Sequence, residues 1–535
     1  IGRHRGKVAA GMLTLVAIVA GLVGTISQAR RAERQSAIAS QQAEIARHER
    51  DGAVEQARLQ RGSNEFLQLL LRDAAGGDPG TIRRQLDRAV ALLETTRFEA
   101  PIVKVALLRQ TAGRYVEIGD VATGTVLLRR AIASIEGTPL ADRTSAVPVN
   151  LACSLARDLH EMDDQPGALA ELDRADHLIA AGADVDLPSR VECHVTRAFA
   201  ESALGRFERG VALDRDALRQ LAGAGIRQGE QQRVTRSALT YTLAAAGHAA
   251  EAMPLARALL AETVAGTGRD SIGALRRSAI VTSLTRIGGD PLAALGLADA
   301  DLVDGARLLG SQTDAALELE RGLDLLALGR DAQAAKPLGR AGEAAVATGR
   351  RVLVLPAGLA ETDALIGAGR IDTASERWNQ LAPLRDIAAR QGRPEQITAL
   401  RIAAMLSRAR GDTAQAIGEL DVAQKLVDAA GGVAHPLAFA VASARADLAI
   451  AAAEPDTVAL PFAERALAAA RRTSIDERRS SQVGQALLLR ARIEAAGGRA
   501  DDARRDAAAA AAQLTPTLGA DAAATQQAMA LASNR

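Results

Sequence analysis

The sequence predicts an all-α protein: a single transmembrane helix, a long juxtamembrane helix, and then a right-handed α-solenoid of about ten helix hairpins. Three observations predict it. Twenty uncharged residues, Val8 to Ser27, follow a basic cluster of Arg3, Arg5 and Lys7. Aromatic residues are 2% of the chain while aliphatic ones are plentiful, and cores of alanine and leucine favour helices over sheets. A turn residue with small residues at fixed offsets recurs about every 42 residues between 103 and 515.

The totals agree with an array. A chain of 535 residues is too long for one compact core. A formal net charge of +1 excludes a nucleic-acid binder that works through bulk charge. The positive charge is nearly all arginine, the lysines being Lys7, Lys104, Lys336 and Lys425. Cys153 and Cys193 are the two cysteines, too few for a disulfide framework.

Residues 1–7 are a basic juxtamembrane stub and 8–27 the transmembrane helix. About 20 apolar residues cross roughly 30 Å of hydrocarbon. A signal peptide and a buried helix are the alternatives. A signal peptide would have a shorter apolar core and a small-x-small cleavage site, whereas this run continues into the charged helical "SQARRAERQ". Arg30, Arg31 and Arg34 balance the basic stub, so charge alone does not orient the span. Residues 28–75 read as a helical stalk with an alanine and isoleucine seam, a candidate coiled coil that could pair the chain as a homodimer. Its greasy end, "NEFLQLLLRDA" (64–74), is expected to dock on the segment after it. A linker and short helix, 76–102, include "TIRRQLDRAVALLE" (81–94). The solenoid is expected over 103–515, and a C-terminal capping helix or tail over 516–535.

The turn residues of the array are Gly119, Asp163, Gly205, Gly247, Gly288, Gly329, Gly369, Gly411, Glu454 and Gly498, spaced 40 to 44 apart. Each has a small residue five positions on, from Gly124 to Ala503, and eight have alanine twelve positions on. The spacing has a physical cause. Glycine ends a helix by adopting the left-handed conformation at little cost. Five residues later the next helix crosses the first, and only a small side chain lets the backbones approach. Seven further on, two turns along the same face, a second small residue meets the next unit. Stacking buries the face that no hairpin can bury alone.

With "ALGRFERGVALDRDALRQL" (203–221) and "ARGDTAQAIGELDVAQKL" (409–426) as examples, this pattern resembles the tetratricopeptide (TPR) repeat. The period of about 42 is longer than the usual 34 of that family. The consensus aromatics are mostly leucine or alanine here, except Tyr115, Phe199 and Tyr241. HEAT-like pairs are the alternative, and the glycine turn discriminates against them.

No phosphate loop, dinucleotide fingerprint, kinase catalytic element or nucleophile elbow occurs. The histidines lack metal spacing, and Cys193 and His194 point about 100° apart on a helix. No catalytic, cofactor or metal residue is therefore expected. The cysteines lie on first helices of consecutive units; a disulfide is conceivable, but burial as small apolar side chains is favoured. Function is then expected in the groove, with a protein or peptide ligand and no nucleic acid. First-helix residues at the ligand-facing phase are Asn150, Arg157, His160, Glu192, Tyr241, Arg401, Arg408 and Arg492. Lysines that would form a carboxylate clamp are absent at this phase.

The order of segments, from "IGRHRGKVAAGMLTLVAIVAGLVG" through the stalk to the repeats, resembles the C-terminal half of bacterial membrane-bound serine/threonine protein kinases. In that family a basic segment like Ile1-Gly2-Arg3-His4-Arg5 follows the kinase domain. The resemblance implies the sensor or scaffold half of such a kinase, non-catalytic in itself and held in the bilayer through 8–27. The expected location is the bacterial inner membrane, single-pass, with the solenoid extracytoplasmic. The non-Met start fits a piece of a longer protein. A stand-alone membrane-tethered adaptor and the effector half of a membrane-bound transcription regulator are the alternatives.

Overall fold

The structure is a computed structural model that describes residues 82–533, apart from 97, 99, 143, 311 and 312, together with Gln42. The chain divides into two units, residues 1–73 with 97–103 and residues 74–96 with 104–535; the helix array belongs to the second. Among the described residues there are 23 α-helices, three short 3-10 turns and no strand. Among them, no helix is long and apolar enough to cross a membrane. The expectation of a single-pass inner-membrane protein is corrected accordingly. The run 8–27 that prompted it, and the stalk 28–75 apart from Gln42, lie outside the described residues.

A lead helix, α1 (Ile82–Thr95), precedes ten stacked hairpins. These are α2 (Pro101–Glu117) with α3 (Val121–Ile135), α4 (Ala146–Glu161) with α5 (Gln165–Ala180), and α6 (Leu187–Ala203) with α7 (Phe207–Gly223). Next come α8 (Glu230–Ala245) with α9 (Ala249–Thr267), α10 (Ile272–Ile287) with α11 (Pro291–Leu309), and α12 (Ala315–Ala327) with α13 (Asp331–Thr348). The seventh pairs α14 (Val354–Gly367) with a broken second helix, α15 (Ile371–Gln380) and α16 (Ala382–Arg390). The last three are α17 (Glu395–Ala409) with α18 (Thr413–Ala429), α19 (Ala438–Ala451) with α20 (Asp456–Thr473), and α21 (Ser481–Ala496) with α22 (Ala500–Leu518). A final helix, α23 (Ala523–Ser533), covers α22.

Each hairpin turn follows the spacing logic. A residue with positive φ ends the first helix, and in α3, α5, α11 and α18 an aspartate then caps the second. Asp120, Asp164, Asp290 and Asp412 accept the backbone N–H groups of Thr123, Gly167, Ala293 and Gln415. The small residue at plus five is where the helices cross. A Cβ on Gly124 would lie 2.9 Å from the Ala112 carbonyl oxygen, and one on Gly210 would lie 2.8 Å from that of Ala198. Ala334, Ala374 and Ala416 are fully buried at the equivalent position.

Two turns differ from the expected register. In the fifth unit Gly289, not Gly288, has positive φ (105°). The buried residues there are consequently Ala294 and Asp301, while Ala293 and Ala300 face solvent. In the ninth unit Ala453, not Glu454, takes the left-handed conformation. The seventh unit breaks its second helix at Leu381, two residues before Pro383, whose ring excludes the regular helical hydrogen bond.

The array winds back on itself. Arg350 Nε donates to Glu161 at 2.8 Å, and Arg479 Nε donates to Asp290 at 3.1 Å, each across 189 residues. With a period near 42, that is about four and a half units per superhelical turn. Further contacts follow the same seam. The Ser481 N–H donates to the Gly289 carbonyl at 2.8 Å. Phe207 meets His435 edge-on with ring centroids 5.8 Å apart. Gly349 (φ 74°) sits so close to Ala122 that a Cβ there would lie 3.0 Å from its backbone nitrogen. The hairpin turns of one superhelical turn thus rest on the inter-unit loops of the next.

Cys153 of α4 and Cys193 of α6 form a disulfide, with Cα atoms 5.1 Å apart. The expectation of two buried thiols is corrected. Successive first helices pack side by side, and this pair of positions brings the two sulfurs within bonding reach.

Candidate ligand groove

First helices line the inside of the superhelix, and second helices form its outer layer. Successive first helices pack on one another, so polar residues at their inward phase face the groove. Burial and charge there are therefore coupled.

The upper wall carries an aromatic row from three consecutive units. His160 of α4 stacks on Phe199 of α6 with centroids 6.0 Å apart, and Phe199 meets Tyr241 of α8 edge-on at 6.2 Å. His160 Nδ1 is 2.9 Å from Gln165 Oε1, which holds the ring in place. Tyr241 lies deep within the superhelix yet keeps 44% of its surface open to the groove. Its surroundings push its phenol up by desolvation.

Beside this row, ion pairs span neighbouring first helices. Glu192 of α6 sits 3.4 Å from Arg109 of α2 and 3.9 Å from Arg157 of α4. Arg157 also reaches the buried Asp158 at 3.1 Å. Burial would raise the Glu161 carboxyl, but Arg350, together with His160 and Arg157, holds it below its usual range. Arg286 of α10 engages Glu320 and Asp324 of α12 at 2.8 and 3.1 Å. Further along, Arg401 of α17 pairs with Asp363 of α14. Arg408 and Arg492 converge on Asp447 of α19 at 2.6 and 2.8 Å.

The eight residues singled out by phase therefore fall into groups. His160 and Tyr241 are joined through Phe199; Arg157 and Glu192 are joined directly; Arg408 and Arg492 share one carboxylate. Asn150 stands apart on α4, its buried Oδ1 without a hydrogen-bond partner. Arg401 stands apart on Asp363. The arginines are engaged by neighbouring helices, so a ligand reaches them by exchange.

A cavity of about 610 Å³ opens next to the aromatic row. Val195 and Phe199 of α6, Val234 and Tyr241 of α8 and Ile280 of α10 make its apolar side, and Ile82 and Leu86 of α1 close it. Arg276 and Arg277 of α10 bring charge to it. Arg276 donates to the Glu117 carbonyl at 2.9 and 3.0 Å and pairs with Asp314 at 2.6 Å. The sequence pattern missed α1, Phe199 and both arginines as groove residues. The arginine pair had a readable signal, two adjacent cations near the start of a first helix; the participation of α1 had none. Among the described residues no group of three or more His, Cys, Asp or Glu converges as metal ligands would.

No family model matches the chain, and no curated protein matches it. Among solved structures, a Rap protein complexed with Competence and Sporulation Factor superposes with a TM-score of 0.53 at 12% identity, over 69% of this chain and 98% of that one. The apo form of RapI gives a TM-score of 0.40 at 11% identity, over 69% and 98%. A tetratricopeptide repeat protein from Parabacteroides merdae gives 0.32 at 14% identity, over 57% and 100%. At such identities the likeness is one of fold. The chain is an all-α, TPR-like solenoid.

Proposed function

We propose that this TPR-like array is an interaction module that binds an extended peptide segment of a protein partner along the inner wall of its superhelix, without chemistry of its own. The observation that carries the proposal is the open apolar cavity beside the His160–Phe199–Tyr241 row, with Tyr241 left 44% exposed at its mouth. Large aromatics at the centre of a concave site are the side chains that dominate binding energies. The superposed Rap protein, seen with Competence and Sporulation Factor, supports the reading by analogy of fold. Asn150, Arg157, His160 and Glu192 would extend the site toward α4, and Arg401, Arg408 and Arg492 toward the far end.

The order of segments in residues 1–80 supports one elaboration, that the array serves as the sensor half of a serine/threonine kinase. Peptide binding by the array does not depend on it.

The test is peptide display against the full chain, followed by Tyr241→Ala and Phe199→Ala. Each substitution should weaken selected peptides by about 30-fold, with the melting temperature of the Tyr241 variant unchanged. Selected peptides that bind both variants like the parent protein would place the site elsewhere.

A further inference from the structure

The cavity beside Tyr241 is not electrically neutral. Three carboxylates line it, and each is paired with an arginine: Glu117 with Arg114 at 2.6 Å, Glu230 with Arg233 at 3.1 Å, and Asp270 with Arg307 at 2.6 Å, which Asp304 shares. Of the lining cations, Arg276 is fixed on Asp314 and on the Glu117 carbonyl. Arg277 differs. Among the described residues no carboxylate pairs with it, and its one hydrogen bond is Nη1 to the Gly273 carbonyl of its own helix at 3.2 Å. Its Nε is buried without a partner. Burial lowers its pKa; the nearby Glu230 charge opposes this, and the like charge of Arg233 adds to the lowering. An arginine with no carboxylate in contact is a cation that an incoming anion can pair with.

We propose that the cavity takes an acidic side chain of a bound peptide, its carboxylate on Arg277 and the aliphatic side chains that flank it against Val195, Val234 and Ile280. The inference rests on the peptide-binding reading above and specifies its ligand. An internal acidic residue is favoured over a chain terminus because the cavity opens into a groove that runs on along the first helices. A segment lying in that groove directs side chains into the cavity. Nη2, which makes no hydrogen bond among the described residues and is not one of the buried atoms, is the donor an incoming carboxylate meets. A cavity of about 610 Å³ is within the range that encloses a few residues.

The experiment measures fluorescence anisotropy of the full chain with two N-terminally labelled, C-terminally amidated peptides, Ala-Leu-Asp-Leu-Ala and Ala-Leu-Asn-Leu-Ala. The parent protein should bind the aspartate peptide at least ~10-fold more tightly. In Arg277→Gln that preference should fall below about twofold, and Arg277→Lys should retain part of it. Because Arg277 has no ion pair to lose, both variants should melt at or above the parent temperature. Equal binding of the two peptides, no binding of either, or a preference that survives Arg277→Gln overturns the proposal. So does a gain that appears only when the amide is replaced by a free C-terminal carboxylate. If display-selected peptides depend on Tyr241 but not on Arg277, the groove reading stands and this one falls. If none depends on Tyr241, the groove reading itself has failed.

Discussion

Arg393 Nη1 lies 2.8 Å from Asp163 Oδ1, and the arginine side chain is 1% exposed. The pair joins the loop before α17 to the second hairpin turn, across the seam. Glu395 shares the guanidinium at 2.9 Å. Asp163 is also one of two non-glycine residues with positive φ among the described residues. The side chain that makes this turn unusual is the one that ties the seam.

Removing the guanidinium strands two carboxylates at the seam. Arg393→Met is therefore expected to cost about 3–5 kcal/mol in urea denaturation. Asp163→Asn, which leaves Arg393 with Glu395, should cost less. A loss for Arg393→Met below about 1 kcal/mol would mean that the seam contributes little to stability.

The register of the fifth unit can be tested by overpacking. Ala294 is fully buried, whereas its neighbour Ala293 faces solvent. Ala294→Leu should destabilise by roughly 1–3 kcal/mol and Ala293→Leu by less than about 0.5 kcal/mol. The reverse order would restore the register that starts at Gly288. Ala416→Leu, at the matching position of the eighth unit, should behave as Ala294→Leu does.

The disulfide between Cys153 and Cys193 closes a 40-residue separation. Reduction should lower stability by about 2–4 kcal/mol through the freedom returned to the unfolded chain. Thermal melts with and without a phosphine reductant, compared with Cys153→Ser/Cys193→Ser, measure this. A double variant that melts like the oxidised parent would show that the bridge is dispensable.

Asp214 is buried, with Oδ2 accepting from Thr242 at 2.8 Å and Oδ1 unpartnered. Burial pushes its carboxyl up from 3.8 to about 7. Between those values the folded chain holds a proton that the unfolded chain has lost. Stability should therefore fall as pH rises from about 4 to about 7 and stay level above, as far as this group is concerned. Asp214→Asn keeps the acceptor for Thr242 and removes the titration. It should raise stability at pH 8 and flatten the slope, measured by denaturation at pH 5, 6.5 and 8. An unchanged slope would show that Asp214 is already ionised in the fold.

The hairpin turns were legible because each leaves a local mark, a permissive residue followed by a small one. The marks blur where glycines come in pairs: nothing in "GGD" at 288–290 tells which glycine turns the chain. A second series, Gly137, Gly182, Gly225, Gly268, Gly310, Gly349 and Gly392, has positive φ between units and was readable at the same period. The seam was not readable, since no spacing rule relates residues about 190 to 230 apart. For the same reason Arg350 and Arg393 carried no signal. Of the groove residues, phase found Tyr241 and His160 but not Phe199, which shares their face. It also passed over Arg277, whose meaning lies in what does not pair with it.

An open solenoid meets only its nearest neighbours and can melt from its ends, one unit at a time. The seam changes the kinetics. Glu161 cannot meet Arg350 until a loop of 189 residues has closed, and closure over such a span is late and slow. Hairpins should therefore form first and the winding last, with docking of the second superhelical turn as the rate-limiting step. The amide of Ser481 reports on this event. It is the first residue of α21 and has no bond within its own helix, but donates across the seam to Gly289 at 2.8 Å. In pulse-labelled refolding it should gain protection after the interior amides of α21. If it were protected together with them, the turns would wind as they form.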